Sequence, residues 1–298
     1  MAKTSLLGRR VLITGGARGV GAATARELAR RGARVSVIGL EPSLLARLIS
    51  ELGPGHVWFE ADVTDSGQLE KAVAATAAAF GGIDAVIANA GVANHNPLAV
   101  GSAQAHVRTV DVNLGGLVRT ARASLAELHR SRGYLLLVAS VGSFCAMPGL
   151  ATYCATKAAA EHLASGLRLE WRGRGVMVGS AHPTWLDTDL VRDTERDLPT
   201  FATLRAKLPG PLGATISVEQ CAAALADAIA TRRRRVYVPR SLALVAALRS
   251  VAVSSVGEWL LAHRLQVETT IQKWEHDSIS LGRDFGTASM QAETTTLS

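Results

Sequence analysis

The chain of 298 residues is 48% hydrophobic and carries a formal net charge of +7, mostly from arginine. This length is enough for one substantial hydrophobic core and too short for two large domains. The cysteines Cys145, Cys154 and Cys221 show neither CxxC nor Cys/His spacing, which argues for a reducing compartment and against a metal site. Aromatic residues make up 4% of the chain without an RNA-stacking or zinc-finger pattern, so nucleic-acid binding is disfavoured.

Short apolar runs alternate with helical segments of ten or more residues through the first 239 positions. Because the apolar residues do not alternate with polar ones, we expect strands that are buried on both faces of a parallel sheet. This rhythm predicts an α/β fold, a doubly wound (Rossmann-type), mainly parallel seven-stranded sheet with helices on both faces. The expected strands cover 9–15, 33–39, 56–62, 83–91, 133–140, 175–181 and 235–239.

The glycine-rich segment "TGGARGVG" (14–21) follows the first expected strand and opens the first expected helix. Glycine lets the backbone turn tightly and approach a pyrophosphate, and the helix N-terminus offers N–H groups and a positive dipole end. Gly15, Gly19 and Gly21 give a G-x-x-x-G-x-G spacing, one residue wider than the usual Rossmann fingerprint. The strand–turn–helix context predicts a dinucleotide-binding turn, whereas a purely structural glycine turn is the alternative.

The stretch "YCATK" places Tyr153 and Lys157 four residues apart, so a helix would put the phenol and the ammonium on one face. A nearby ammonium lowers the pKa of a tyrosine, which is about 10 in a free side chain. Ser140 ends an apolar strand and would emerge at the carboxyl edge of the sheet, where ligands bind in open α/β folds. These three residues are therefore candidates for acid–base chemistry, and a surface Tyr–Lys pair is the structural alternative.

With these residues and four further motifs, the chain resembles the single-domain branch of the short-chain dehydrogenase/reductase family over about residues 8 to 239. The resemblance implies an NAD(P)-dependent enzyme in which Tyr153 exchanges the proton and Ser140 orients the substrate oxygen. It also implies that Lys157 tunes Tyr153 and binds the nicotinamide ribose, while Asn113 kinks its helix and completes a proton relay. The further motifs are "DV" (62–63), "NAG" (89–91), "VNLGG" (112–116) and "VASVGS" (138–143).

The resemblance implies further cofactor contacts, with Asp62 reaching the adenine and Thr188 the nicotinamide carboxamide. In "HPTWLDT" (182–188) Thr184 stands where the family has glycine, so the local geometry of this loop is open. His95 and His182 lie nearby but lack ligand partners, and no metal is expected. The implied cofactor-binding residues are Gly15, Ala17, Arg18, Gly19, Val20, Gly21, Gly39, Asp62, Val63, Asn89, Ala90, Gly91, Tyr153, Lys157, Pro183 and Thr188.

Two positions bear on the choice between NADP and NAD. NAD-preferring relatives have an acid at the end of the second strand, where this chain has Gly39. Arg18 resembles the basic residue that meets the 2′-phosphate of NADP in other relatives. NADP is therefore favoured, and NAD stays open because Glu41 could take the place of the missing acid.

An apolar group of residues lies where family members line the substrate pocket, which favours a lipophilic ketone or secondary alcohol as substrate. The structural alternative is that several of them pack a lid (186–212) onto the body. The same family forms dimers and tetramers through the helices that here carry Asn113 and Tyr153, so a homodimer or homotetramer is expected. The pocket residues are Phe144, Met147, Leu150, Trp185, Leu186 and Leu190.

We expect the chain to divide into a dinucleotide-binding and catalytic domain (1–239), a helical extension (240–278) and a polar tail (279–298) that is mobile. Arg249 and Glu258 interrupt the apolar extension, so a membrane-spanning helix is not expected. The extension is expected to pack on the domain or a partner subunit, with contact to an anionic membrane surface as the alternative. The first seven residues are too short and polar for a signal peptide, so we expect a cytoplasmic protein, with membrane association left open.

Two other functions fit the same motifs. A dinucleotide-binding redox sensor would need the glycine turn but not Tyr153. A non-redox isomerase or dehydratase would use the same tyrosine site without net change of the cofactor. The complete Asn113–Ser140–Tyr153–Lys157 set favours the oxidoreductase over both.

Overall fold

The computed structural model describes residues 5–94 and 96–285, so His95 and the end of the predicted tail lie outside it. The seven strands predicted from the sequence are confirmed and form one parallel sheet with the order β3-β2-β1-β4-β5-β6-β9. Two very short strands, β7 and β8, form a separate parallel ribbon that the sequence did not predict. The strands are β1 (Arg10–Thr14), β2 (Arg34–Gly39), β3 (Val57–Glu60), β4 (Ala85–Ala88), β5 (Tyr134–Val138), β6 (Met177–Pro183), β7 (Trp185–Leu186), β8 (Thr215–Ile216) and β9 (Arg235–Val238).

Helices cover both faces of the large sheet, as the doubly wound fold requires. One core cluster joins apolar residues of the first, second and ninth helices to one face, and a second joins the third, fifth and sixth helices to the other. The helices are α1 (Gly19–Arg30), α2 (Pro42–Leu52), α3 (Ser66–Phe80), α4 (Ala103–Val110), α5 (Gly116–Ser131), α6 (Ala151–Trp171), α7 (Asp189–Asp197), α8 (Pro199–Ala206), α9 (Val218–Thr231), α10 (Leu242–Ala247), α11 (Arg249–Ala252), α12 (Ser255–Leu265) and α13 (Val267–Leu281).

The strand order reverses between β1 and β4, which creates a crevice at the carboxyl edge of the sheet. The parallel register pairs Ile13 of β1 with Ile87 of β4, and Ala88 of β4 with Leu137 of β5. The chain segments that leave β1, β4 and β5 therefore emerge side by side. These are the segments that carry the glycine turn, "NAG" and Ser140.

The C-terminal extension packs on its own chain, through a third apolar cluster that joins it to α8. The fully buried ring of Trp274 meets Phe201 edge-on, with ring centroids 5.7 Å apart. The Thr200 hydroxyl donates to Asp277 at 2.6 Å, and Asp284 accepts from the backbone and side chain of Ser102. In the described part of the chain, no helix is both long and apolar enough to cross a bilayer.

Trp274 is the largest fully buried side chain of this third cluster, and its removal tests how far the extension supports the fold. We expect Trp274→Ala to lower the free energy of unfolding by about 3–5 kcal/mol, because a large buried ring leaves a cavity. Trp259→Ala is the matched control, since Trp259 in the same extension is 65% exposed and its loss should cost less than about 0.5 kcal/mol. Urea unfolding measures both; equal midpoints would show that the extension adds nothing to stability.

Candidate active site

A cavity of about 370 Å³ opens at the carboxyl edge of the sheet and brings most of the predicted site residues together. One half is lined by the glycine turn and by the residues that follow β2, β3 and β4. The other half is lined by Ser140, Tyr153, Lys157 and apolar side chains. All predicted cofactor positions line it: Gly15, Ala17, Arg18, Gly19, Val20, Gly21, Gly39, Asp62, Val63, Asn89, Ala90, Gly91, Tyr153, Lys157, Pro183 and Thr188.

The glycine turn has the shape that a pyrophosphate requires. A Cβ atom on Gly21 would lie 2.0 Å from the carbonyl oxygen of Gly15, so only glycine allows α1 to start this close to β1. Gly15 and Gly19 have positive φ angles, and a Cβ on Gly19 would meet only a Thr188 methyl group at 3.6 Å. The turn thus leaves open space in front of the N-terminus of α1, where a phosphate group fits.

Asn89 has a structural role at this turn. Its Nδ2 donates to the carbonyl oxygens of Thr14 and Gly15, both at 3.1 Å. The Thr14 hydroxyl in turn accepts from the backbone N–H of Asn89 at 3.1 Å. These bonds fix the end of β4 to the end of β1, and thereby set the width of the cavity between them.

Ser140 and Tyr153 meet at the middle of the cavity. Ser140 follows β5, its hydroxyl accepts from the N–H of Gly142 at 3.2 Å, and its side chain lies beside the Tyr153 phenol. Lys157, one turn along α6, donates from Nζ to the carbonyl of Val138 at 3.1 Å. Its Nζ lies 5.6 Å from the centroid of the Tyr153 ring. The predicted serine, phenol and ammonium are thus adjacent on one wall.

Asn113 supports this wall from behind. It lies in a π-helical turn (Asp111–Gly115) between α4 and α5, which agrees with the kink implied by the family resemblance. Its Oδ1 accepts from the N–H of Val92 at 2.8 Å, and its Nδ2 donates to the carbonyl of Val92 at 2.9 Å and to Thr156 Oγ1 at 3.2 Å. The side chain is fully buried rather than part of the cavity lining.

Burial controls the protonation of this wall. Burial raises the pKa of Tyr153 to about 12, although the Ser140 hydroxyl beside it acts in the opposite direction. Burial also lowers the pKa of Lys157 to about 8. The sequence predicted a tyrosine pKa lowered by Lys157; in the protein alone, desolvation of the phenol raises this pKa instead. The phenol is therefore protonated at neutral pH.

The charged side chains in the glycine-turn half of the cavity form ion pairs with one another. The carboxylate of Asp62 lies 3.3 Å from Arg108 and accepts from the N–H of Thr64 at 2.8 Å. Burial opposes its charged form, but the Thr64 hydrogen bonds and the Arg108 charge hold the Asp62 pKa below its ordinary value. Arg18 forms an ion pair with Glu41, the acid that follows the end of β2 by two residues.

The far end of the cavity is apolar, and one predicted residue does not belong to it. Met147, Leu150, Trp185 and Leu186 line the cavity as expected. The assignment of Phe144 to the pocket is wrong, because the 3₁₀ turn that precedes this residue directs its ring into the core. The ring is 2% exposed and stacks on His182 with centroids 4.5 Å apart.

One predicted pocket residue lies outside the described side chains, and several residues that were not predicted also line the cavity. The side chain of Leu190 lies outside the described residues. Asn94, Arg108 and Phe201 line the cavity without having been predicted. They come from the loop after β4, from α4 and from α8, segments without a motif. The hydroxyl of Thr184, where the family has glycine, donates to the carbonyl of Ala214 at 3.2 Å.

A buried polar network behind Ser140 was also missed. Nε2 of His182 lies 3.1 Å from a carboxylate oxygen of Glu161, and Nδ1 lies 2.9 Å from the hydroxyl of Ser143. Despite burial, the hydrogen bonds from His182, Ser180 and Arg235 lower the pKa of Glu161 to about 2. The network fixes the turn after Ser140 and gives the buried imidazole of His182 its hydrogen-bond partners.

Comparison with known proteins agrees with this geometry. A profile described as "short chain dehydrogenase" matches residues 9–199, which is well over half of the chain. The chain belongs to the short-chain dehydrogenase family. Because its curated relatives are dehydrogenases, this member is an NAD(P)-dependent oxidoreductase.

The similarity extends over most of the relatives' length. This chain is 31% identical over 226 residues to the 2,5-dichloro-2,5-cyclohexadiene-1,4-diol dehydrogenase of Sphingobium indicum. The match covers 74% of this chain and 90% of that protein. The chain is 34% identical over 187 residues to the D-threitol dehydrogenase of Mycolicibacterium smegmatis, covering 61% and 72%. The fold matches the 3-ketoacyl-(acyl-carrier-protein) reductase of Brucella melitensis, crystallised with NADH, at a TM-score of 0.69 and 24% identity, covering 78% and 98%.

The burial of Lys157 gives a measurable titration. We expect its ammonium to lose the proton near pH 8, well below the ordinary lysine range. The chain has five lysines, so the Cε resonances of a lysine-labelled sample can be followed separately, and the signal missing from Lys157→Met identifies this residue.

The same shift affects stability in a defined direction. Above pH 8 the folded protein releases the Lys157 proton while the unfolded chain still holds it, so this group makes the free energy of unfolding rise with pH up to the ordinary lysine range. Urea unfolding of Lys157→Met should show no such rise in the free energy of unfolding between pH 8 and the ordinary lysine range. Lysine signals that all titrate in the ordinary range would contradict the assignment.

Proposed function

We propose that this enzyme transfers hydride between NADP and a lipophilic ketone or secondary alcohol. The observation that carries the proposal is that Ser140, Tyr153 and Lys157 line the same cavity as the glycine turn and the apolar side chains. The bound nicotinamide supplies or accepts the hydride. The residues of the chain then need only hold the substrate oxygen and move one proton.

In the direction of ketone reduction, Tyr153 donates its phenolic proton to the carbonyl oxygen as that oxygen gains charge. The raised pKa of Tyr153 keeps this proton in place at neutral pH. Ser140 donates a hydrogen bond to the same oxygen and orients it. Lys157 stabilises the resulting phenolate with its charge and contacts the ribose, and Asn113 holds α6 in register. In alcohol oxidation the same proton moves in the opposite direction.

The apolar end of the cavity supports a lipophilic substrate. Met147, Leu150, Trp185 and Phe201 surround the space next to Ser140, and Trp185 is held by a bond from its Nε1 to the Leu212 carbonyl at 2.7 Å. A group of this composition favours a hydrocarbon ring or chain beside the reacting oxygen. The relatives' names include both a ring diol and a polyol, so the argument rests on the cavity itself.

Cofactor choice depends on the Arg18–Glu41 ion pair. Gly39 leaves the end of β2 without an acid, and Arg18 lines the cavity close to it, which supports NADP. Glu41 acts against NADP, because the 2′-phosphate must replace the Glu41 carboxylate as the partner of Arg18. NADP binding is thus proposed to open this ion pair, which NAD binding would leave intact.

Self-association is proposed through α5 and α6, as the family resemblance implies. Val118 on α5 and Leu169 on α6 are exposed, and so are Val107 and Val110 on α4 beside them. Exposed apolar side chains grouped on neighbouring helices are typical of a subunit contact, whereas isolated ones are ordinary on a protein surface. This supports a homodimer or homotetramer.

Replacing Tyr153 with Phe tests the chemistry. We expect Tyr153→Phe to reduce kcat by about 10²–10⁴-fold, because the proton donor is lost while the ring remains. Cofactor affinity, measured by nicotinamide fluorescence titration, should be nearly unchanged. Tyr134→Phe is the control, since this buried hydroxyl donates to Arg233 at the far end of β5. Full turnover in Tyr153→Phe, in a screen of cyclic ketones and alcohols, would remove the mechanism.

Replacing Glu41 with Gln tests the cofactor proposal. We expect the ratio of kcat/KM for NADP over NAD to rise roughly fivefold to tenfold, because a like charge about 4 Å from the phosphate costs about 1 kcal/mol in a hydrated site. Glu51→Gln is the matched control on the same helix, where Glu51 pairs with Arg26 at the surface. A wild-type preference for NAD that Glu41→Gln leaves unmoved would contradict the role of Arg18.

A further inference from the structure

The C-terminal extension carries an unusual concentration of exposed apolar side chains. Within residues 244–260, seven large apolar residues are each more than half exposed. Single exposed apolar residues are ordinary on a protein surface, but a contiguous group marks a contact site. We call these residues the apolar face: Leu244, Leu248, Val251, Val253, Val256, Trp259 and Leu260.

The helical register shows that this face is organised. On α12, Val256, Trp259, Leu260 and His263 are spaced i, i+3, i+4 and i+7, so they share one exposed side. Leu265 on the same helix is fully buried in the third apolar cluster. The helix therefore has one apolar side packed on the protein and a second turned outward. A helix that is apolar on both sides requires a second apolar environment.

The charges beside the apolar face select the kind of partner. Residues 240–265 contain the exposed arginines Arg240, Arg249 and Arg264 and a single acidic residue, Glu258. Exposed Trp259 stacks on His263, and an aromatic ring of this kind suits the headgroup level of a bilayer. Guanidinium groups next to aromatic and aliphatic side chains match the surface of a membrane with anionic lipids.

A second copy of the chain matches this face less well. A twofold contact would place the same surface of each subunit against itself, and so would bring Arg240, Arg249 and Arg264 of both copies together. Like charges in one contact repel, and one glutamate per copy cannot balance them. Self-association is also proposed through a different surface, the exposed side chains of α4, α5 and α6.

We propose that the apolar face docks the enzyme on an anionic phospholipid bilayer. Trp259 and Leu260 enter the headgroup region, and Arg240 and Arg249 face lipid phosphates. Docking places the bilayer next to the lid of the cavity. Lys207, at the end of α8, donates to Gln266 at 2.9 Å, and its carbonyl accepts from Arg264 at 3.1 Å.

Docking with the lid next to the bilayer would help the enzyme to take up a lipophilic substrate; this point rests on the proposed function. Phe201 lines the cavity and also packs on Trp274 of α13, so the lid contacts the cavity on one side and the extension on the other. A lipophilic ketone dissolved in the bilayer would then reach the cavity without crossing water. Docking itself does not require turnover, so its test is independent of the substrate.

Flotation of the full-length protein with vesicles tests the docking. We expect the protein to float with vesicles of phosphatidylcholine and phosphatidylglycerol in equal parts, and to bind vesicles of pure phosphatidylcholine about tenfold more weakly. The double variant Trp259→Ala/Leu260→Ser should lose about tenfold or more in binding. Leu7→Ser, which changes an exposed leucine before β1 at the edge of the sheet opposite the cavity, is the control and should bind like the wild type.

The electrostatic and apolar contributions to vesicle binding can be measured separately. Arg249→Gln and added salt should each weaken binding to the anionic vesicles, because screening acts on the charges. Binding that is insensitive to lipid charge, or unchanged in Trp259→Ala/Leu260→Ser, would overturn the proposal. So would a subunit count, measured by light scattering, that falls in this double variant, since a second copy would then cover the face. Unfolding midpoints confirm that the variants are folded, and failure of turnover leaves the docking result unaffected.

Discussion

The side-chain amide of Asn113 holds together three pieces of chain that are far apart in the sequence. It bonds both backbone groups of Val92 after β4, and it donates to Thr156 on α6 from its own position between α4 and α5. Because the amide is fully buried, each bond that is lost leaves a polar group unpaired at a cost of about 1–3 kcal/mol. Thr156 lies between Tyr153 and Lys157, so the same bonds fix the reactive helix against the end of the sheet. The rigid placement of Tyr153 and Lys157 therefore depends on the hydrogen bonds of the Asn113 amide.

The placement also explains the electrostatics of the site. Fixing α6 against β5 surrounds the Lys157 ammonium with protein and leaves it a neutral partner, the Val138 carbonyl, rather than a carboxylate. Desolvation without a counterion lowers its pKa and raises that of the neighbouring phenol. The Glu161 carboxylate, on the next turn of α6, is instead paired with Arg235 and His182. Its charge is thus directed away from the cavity, and Lys157 remains able to stabilise an anion there.

The sequence was sufficient for the large sheet and for the pairing of Tyr153 with Lys157, because both follow from short-range rules, whereas the place of Ser140 and Asn113 beside them was implied by the family resemblance. Seven apolar runs of five to nine residues sufficed to predict strands that are four to seven residues long, and a helical turn sufficed to bring Tyr153 and Lys157 together. The β7–β8 ribbon could not be predicted, since two residues per strand carry no period. Phe144 was misassigned because distance along the chain says nothing about which way a 3₁₀ turn directs a ring. Phe201 lines the cavity because helices that are distant in the sequence pack together, and no local pattern encodes such packing.

The lid is held by the extension as much as by the sheet. Phe201 lies between Trp185, at a ring distance of 5.3 Å, and Trp274, at 5.7 Å, so one aromatic ring joins the cavity wall to α13. Moving α8 outward to admit a substrate would separate Phe201 from Trp274, whereas moving α8 and α13 together would preserve that contact. The second movement exposes less apolar surface and is therefore less costly. Lys207 at the end of α8 is also hydrogen-bonded to Arg264 of α12 and to Gln266, so α12, whose exposed side is apolar, is joined to the lid that contributes Phe201 to the cavity.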